Sequence, residues 1–77
     1  MDERGFVNLC KKAVADYAGC SENDVYIVWM CKTLQNSKAM ASTNKPDGMY
    51  YELTYNGNKG ELYLDAYQKK HNMVIVI

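Results

Sequence analysis

The hydrophobic period changes once along this chain, and that change limits what it can fold into. Phe6, Leu9, Cys10, Ala13, Val14 and Tyr17 recur at i, i+3, i+4, i+7, i+8 and i+11, the apolar stripe of an amphipathic helix. This spacing predicts one helix over residues 2–18, with Asp2 and Glu3 at the end that favours negative charge and Gly19 where a left-handed cap belongs. After the polar, turn-prone segment Ser21-Glu22-Asn23-Asp24 the period falls to two. Everything downstream reads as strand and turn.

Val25 to Cys31 is a run of β-branched, aromatic and apolar residues that suits a strand. It is apolar on both alternating faces, which predicts a central strand covered on both sides. Gln35-Asn36-Ser37 reads as its hairpin turn, and Lys38 to Ser42 as a weaker returning strand at an edge. Pro46-Asp47-Gly48 supplies turn chemistry for the next loop. Met49 to Tyr55 alternates, and Asn56-Gly57 opens a strong hairpin signal because it tolerates positive φ. Glu61 to Tyr67 forms the partner strand. After Lys69-Lys70-His71-Asn72 the chain ends on the wholly apolar Met73-Val74-Ile75-Val76-Ile77. The expected strands are residues 25–34, 38–43, 49–55, 61–68 and 73–77. The architecture is α+β: one N-terminal amphipathic helix packed on an antiparallel meander sheet of four to five strands, in a single domain over residues 1–77.

Size and charge narrow the function. With 77 residues the chain makes one domain whose core is thin. Nine Lys+Arg balance nine Asp+Glu, which argues against a basic duplex-binding footprint and against an acidic nucleic-acid mimic. No run approaches the ~20 apolar residues of a membrane-spanning helix. The charged N-terminus leads into an amphipathic segment, not an apolar leader, so a cytoplasmic location is expected. Three cysteines at wide spacing, Cys10, Cys20 and Cys31, suggest reduced thiols, not a disulfide framework.

Candidates for chemistry are few. His71, the only histidine, falls in a lysine-flanked turn and reads as a solvated residue. Cys31, within an apolar strand, reads as a small core hydrophobe, and Cys20 as the more exposed thiol without a cationic neighbour. Glu52, Glu61 and Asp65 can face one another across the Asn56–Gly60 hairpin, a pattern more usual for solvated sheet positions than for acid–base catalysis. No phosphate-cradling loop or cofactor motif is present, and a four-ligand zinc site would need all three cysteines together with His71. The expectation is a protein that is not an enzyme, with no cofactor, no metal and no evident small-molecule substrate.

The tyrosines carry the remaining signal. Seven of the nine aromatic residues are tyrosine. A helix covering Tyr51, Leu53, Tyr55, Leu62 and Leu64 leaves Tyr50, Tyr63 and Tyr67, joined by Tyr26, on the opposite face. Three readings stand: cross-strand aromatic pairing that stiffens a thin sheet, a protein-binding face that includes self-association, and a stacking platform for single-stranded nucleic acid. The last wants interleaved cations and finds carboxylates instead. The apolar stretch 73–77, with no gatekeeping charge, points to an internal strand or to a second copy, hence a homodimer.

Four segments resemble a known family: Val25-Tyr26-Ile27-Val28-Trp29-Met30-Cys31-Lys32-Thr33-Leu34-Gln35-Asn36, then Asp47 to Glu52, Thr54 to Gly57 and Glu61 to Tyr67. These are similar to short proteins of phages and prophages of Gram-positive bacteria that carry only a domain-of-unknown-function label, over about residues 24–70. The resemblance implies an accessory protein acting in the bacterial cytoplasm and carries over no catalytic motif; a host or defence protein as partner follows by analogy with phage proteins of this size. Lys32, Gln35 and Asn36, in its most specific string, are candidates for a recognition loop or for satisfying the turn's own backbone. The expected interaction face is therefore Tyr26, Tyr50, Tyr63 and Tyr67 with Lys32, Gln35 and Asn36.

Overall fold

A computed structural model describes residues 1–77. The helix, α1, spans Glu3–Ala18. Asp2 caps it by accepting the Gly5 N–H at 2.7 Å, and Gly19 closes it in the left-handed conformation with φ 74°. A 3-10 turn, Glu22–Asp24, leads into four strands: β1 (Val25–Thr33), β2 (Asn36–Thr43), β3 (Met49–Asn56) and β4 (Glu61–Gln68). They form one open antiparallel sheet in the order β1-β2-β3-β4. The α+β meander is thus as the sequence predicts, with a strand count of four. No helix is long and apolar enough to cross a membrane.

Three details depart from the sequence reading. The tail at residues 73–77 forms no fifth strand; all five side chains lie exposed. Each reversal inside the sheet contains one residue at positive φ (Leu34 at 54°, Gly48 at 70°, Gly60 at 65°), whereas Lys69–Asn72 contains none. Strand propensity without a turn to bring the segment back leaves it unpaired. The first hairpin turns at Leu34-Gln35, so Asn36 and Ser37 already belong to β2.

The third departure exchanges the roles of β1 and β2. β1 is an edge strand with one face uncovered, and β2 is interior. α1 packs chiefly on β1 and β2, and directly beneath it lie Ala39 and Ala41, both 0% exposed. Small side chains there let the helix axis come close, so Phe6, Cys10 and Val14 reach Tyr51 and Leu53 in one core cluster. What reads as a weak strand by side-chain size is the seat of the helix. Tyr17 meets Tyr51 edge-on, ring centroids 5.8 Å apart at 71°. Only 12 of 77 residues are buried, as expected for a sheet with one helix to cover it.

Candidate functional site

One helix covers one side of the sheet, and register decides what the other side carries. A β-bulge at Val28 shifts β1 by one residue, since Ile27 pairs with Ala41 but Trp29 with Met40. Beyond the bulge, Met30 turns toward the core while Trp29 and Cys31 turn away from it. The open face then consists of four cross-strand rows. The first joins Tyr26, Ser42, Tyr50 and Tyr67, and the second Trp29, Met40, Glu52 and Asp65. The third joins Cys31, Lys38, Thr54 and Tyr63, and the fourth Thr33, Asn36, Asn56 and Glu61.

All four tyrosines expected on one face are there. Tyr26, Tyr50 and Tyr67 share a single row, and Tyr63 lies two rows away. Tyr26, Trp29, Tyr63 and Tyr67 are between 44% and 51% exposed, too much for core residues and too apolar for ordinary solvent-facing positions. Trp29 was not legible as a member of this face. Strict alternation from Val25 places it beside Ile27 under the helix, and only the bulge reverses it.

The polar groups of this face are linked. Lys38 Nζ lies 3.4 Å from Glu52 Oε2, and the Tyr67 hydroxyl donates to Glu52 Oε1 at 3.4 Å. The Tyr63 hydroxyl donates to Glu61 Oε1 at 2.7 Å. The Tyr67 phenol is raised above its ordinary pKa chiefly by the Glu52 charge, and the Tyr63 phenol chiefly by its hydrogen bond to Glu61. Both tyrosines therefore stay neutral donors near pH 7. Glu52 stands directly opposite Asp65, so the face carries Lys38 against Glu52, Glu61 and Asp65.

Lys32, Gln35 and Asn36 do not join the tyrosines. Lys32 belongs to the helix-side row with Ser37, Tyr55 and Leu62, and its Nζ donates to the Met1 carbonyl at 3.1 Å. Asn36 Oδ1 accepts the Gly57 N–H at 3.3 Å, tying the first hairpin to the third. A methyl group at Gly57 would collide with the Gln35 carbonyl oxygen, so that contact requires glycine. Gln35 and Asn36 thus meet the Asn56–Gly60 turn, and Lys32 meets the N-terminus. A shallow depression of about 230 Å³ beside them is lined by Met1, Lys32, Leu34, Gln35, Ser37, Tyr55 and Gly57 and contains no carboxylate or imidazole.

The remaining titratable groups are dispersed. His71 is exposed in the tail. Cys20 is half-buried and Cys31 is exposed, the reverse of the order expected from the sequence, because the bulge turns Cys31 outward. Cys10 is buried beneath the helix, which pushes its thiol up to about 11. No three His, Cys, Asp or Glu side chains converge as a metal-ligand group.

Residues 4–77 match the model of a Family of unknown function (DUF6275). The chain belongs to this family. No curated protein matches it, and no solved structure does.

Proposed function

We propose that this DUF6275 member is a non-enzymatic protein-interaction module that acts as a homodimer and presents the open face of its sheet to a protein partner. The observation that carries this reading is the collection of Tyr26, Trp29, Tyr50, Tyr63 and Tyr67, with Met40, on one uncovered sheet face. Tyrosine, tryptophan and methionine are the residue types enriched where proteins bind one another. The 2.7 Å hydrogen bond from Tyr63 to Glu61 restrains that phenol, which lowers the entropy lost on binding.

The resemblance to short phage and prophage proteins of Gram-positive bacteria supports a role in the cytoplasm of the bacterial host, with a host or defence protein as partner. A face with one lysine against three carboxylates is poorly matched to a nucleic-acid backbone.

Affinity purification from lysogenic or infected cells tests the reading, comparing the wild type with the Tyr26→Ala/Trp29→Ala variant. A protein partner retained by the wild type and lost by the folded variant is the expected result. Equal retention by both removes the open face as the site. Retention on single-stranded DNA at ~50 mM salt, abolished in Tyr50→Ala/Tyr63→Ala, would replace the protein partner with nucleic acid. A monomeric mass by light scattering at tens of micromolar would remove the homodimer.

A further inference from the structure

We propose that the homodimer forms by exchange of the apolar tail: Met73–Ile77 of one copy adds as a fifth strand to the free edge of β4 in the other. The inference rests on the homodimer proposed above and names the segment that makes it. Four observations converge on it.

First, the tail has strand chemistry and no partner. Its five residues are apolar and mostly β-branched, and each is at least 74% exposed. Second, the tail is not turned back on its own strand. Each reversal within the sheet uses a residue at positive φ, and Lys69–Asn72 has neither such a residue nor a glycine. The Lys69 N–H donates to the Gly48 carbonyl at 2.8 Å, which anchors the start of the tail beside the end of β4 and directs it onward.

Third, the two edges of the sheet are not equivalent. β1 is interrupted by the bulge at Val28, a device that blunts an edge against pairing. β4 pairs with β3 without any register shift, so its outer edge presents a regular row of unpaired backbone groups. Fourth, the helix-side face beside β4 is apolar and incompletely covered. Leu62 and Leu64 are half-buried and Ala66 exposed on the helix side, because α1 sits over β1 and β2. On the other side exposed Tyr63 and Tyr67 alternate with Glu61 and Asp65. A strand apolar on both faces, as Met73–Ile77 is, sets one row of its side chains beside Leu62, Leu64 and Ala66 and the other beside Tyr63 and Tyr67.

The exchange closes with two-fold symmetry. If each tail continues in line with its own β4, Lys69–Asn72 spans about 13 Å as an extended connector. An antiparallel neighbour related by a two-fold axis then receives each tail along its β4, and both edges are filled at once. The copies lie side by side in one continuous sheet, with their open faces on the same side. One open face of four strands covers about 500 Å² in projection, short of the ~800 Å² that a typical partner buries. Two joined faces exceed it. Tail exchange thus leaves the tyrosines free and builds from two copies a surface of sufficient size.

Single proline substitutions in the full-length protein test the exchange, because the tail lies outside every element of the fold and tolerates them. Successive N–H groups of a strand point to opposite sides, so one of Val74→Pro and Ile75→Pro must remove a donor from the new ladder. Light scattering and sedimentation should show a wild-type dimer. In at least one proline variant the dissociation constant should rise about 30-fold or more, with an unchanged circular dichroism spectrum. In a dimer mixed from isotope-labelled and unlabelled chains, intermolecular NOEs should join residues 73–77 to residues 61–68. A wild-type dimer that both proline variants leave intact overturns the exchange and keeps the homodimer. NOEs from the tail to its own β4 also overturn it, and a monomeric wild type overturns exchange and homodimer together.

Discussion

The two faces of this sheet carry side chains of similar apolar character and meet different fates. On the helix side Ala39, Ala41 and Leu53 are 0% exposed, with Tyr51 at 2%. On the open side Tyr26, Trp29, Tyr63 and Tyr67 remain about half exposed, although each is at least as large. Side-chain hydrophobicity does not separate the two groups. The position of the single helix does, and its close approach depends on the smallest residues available, Ala39 and Ala41. In a chain with one helix, burial is rationed by that helix's width, and the remaining aromatic surface is left for something outside the chain to cover.

Truncation on the two faces should break the comparison most sharply. Leu53→Ala removes buried methyl groups at the centre of the core and should cost about 3 kcal/mol. A domain of this length has about 4–12 kcal/mol in all, so the melting temperature should fall by roughly 12 °C or more. Tyr50→Ala or Trp29→Ala on the open face should cost less than about 1 kcal/mol in the isolated domain. Thermal and urea unfolding of the three variants measure the contrast, and equal losses would show that the open face is part of the core.

Enlarging a side chain should separate the faces next. Ala41→Leu places a branched side chain beneath the helix where none fits and should cost about 1–3 kcal/mol. Met40→Leu, one residue away on the open face, should be neutral within about 0.5 kcal/mol. The same urea titration reads both, and a tolerant Ala41 would mean that the helix can ride higher on the sheet than its contacts suggest.

The helix and the hairpins were legible in the sequence because their causes are local. The stripe from Phe6 to Tyr17 marks α1, Asn56-Gly57 marks the β3–β4 hairpin, and alternation from Tyr50 to Tyr55 and from Leu62 to Tyr67 sorts those residues correctly by face. What was not legible depends on events elsewhere in the fold. The run Val25–Cys31 reads as a central strand, yet which strand is central depends on where the helix lands. The bulge at Val28 reassigns Trp29, Met30 and Cys31, and no turn residue or proline announces it. The tail has every local property of a strand and lacks only a reversal, a lack visible once Leu34, Gly48 and Gly60 are seen at positive φ.

The cysteines extend the comparison to pH. Burial raises the Cys10 thiol from 9.0 to about 11, so the folded state keeps a proton that the unfolded chain releases. Its stabilising contribution is complete below pH 9 and is lost as pH rises from 9 to 11, on the order of 1–3 kcal/mol. Tyr51, raised chiefly by burial, acts in the same direction at higher pH. Urea midpoints followed from pH 8 to 11 should decline, and Cys10→Ala should flatten the first part of that decline. At neutral pH a thiol reagent should modify exposed Cys31 at once and Cys10 only on unfolding.

The smallest expected effect concerns the ion pairs, where one pair lies on each side of the molecule. Lys12–Asp16 on the outer surface of α1 is an i,i+4 pair at 3.3 Å with both side chains well exposed, and Lys12→Ala should cost about 0.3–0.5 kcal/mol or less. Lys38–Glu52 on the open face is different. The Glu52 side chain is only 23% exposed and stands opposite Asp65, so Lys38 offsets a repulsion as well as making a contact. Lys38→Met should therefore cost more, about 0.5–1 kcal/mol, by leaving two carboxylates facing each other. Glu52→Gln removes the repulsion together with the attraction and should be close to neutral. In the double variant most of the Lys38→Met loss should disappear, because the uncompensated carboxylate is gone. A double-mutant cycle at low and high salt measures this coupling. Simple additivity of the two substitutions would mean that the Lys38–Glu52 contact contributes nothing and that the charges of the open face act independently.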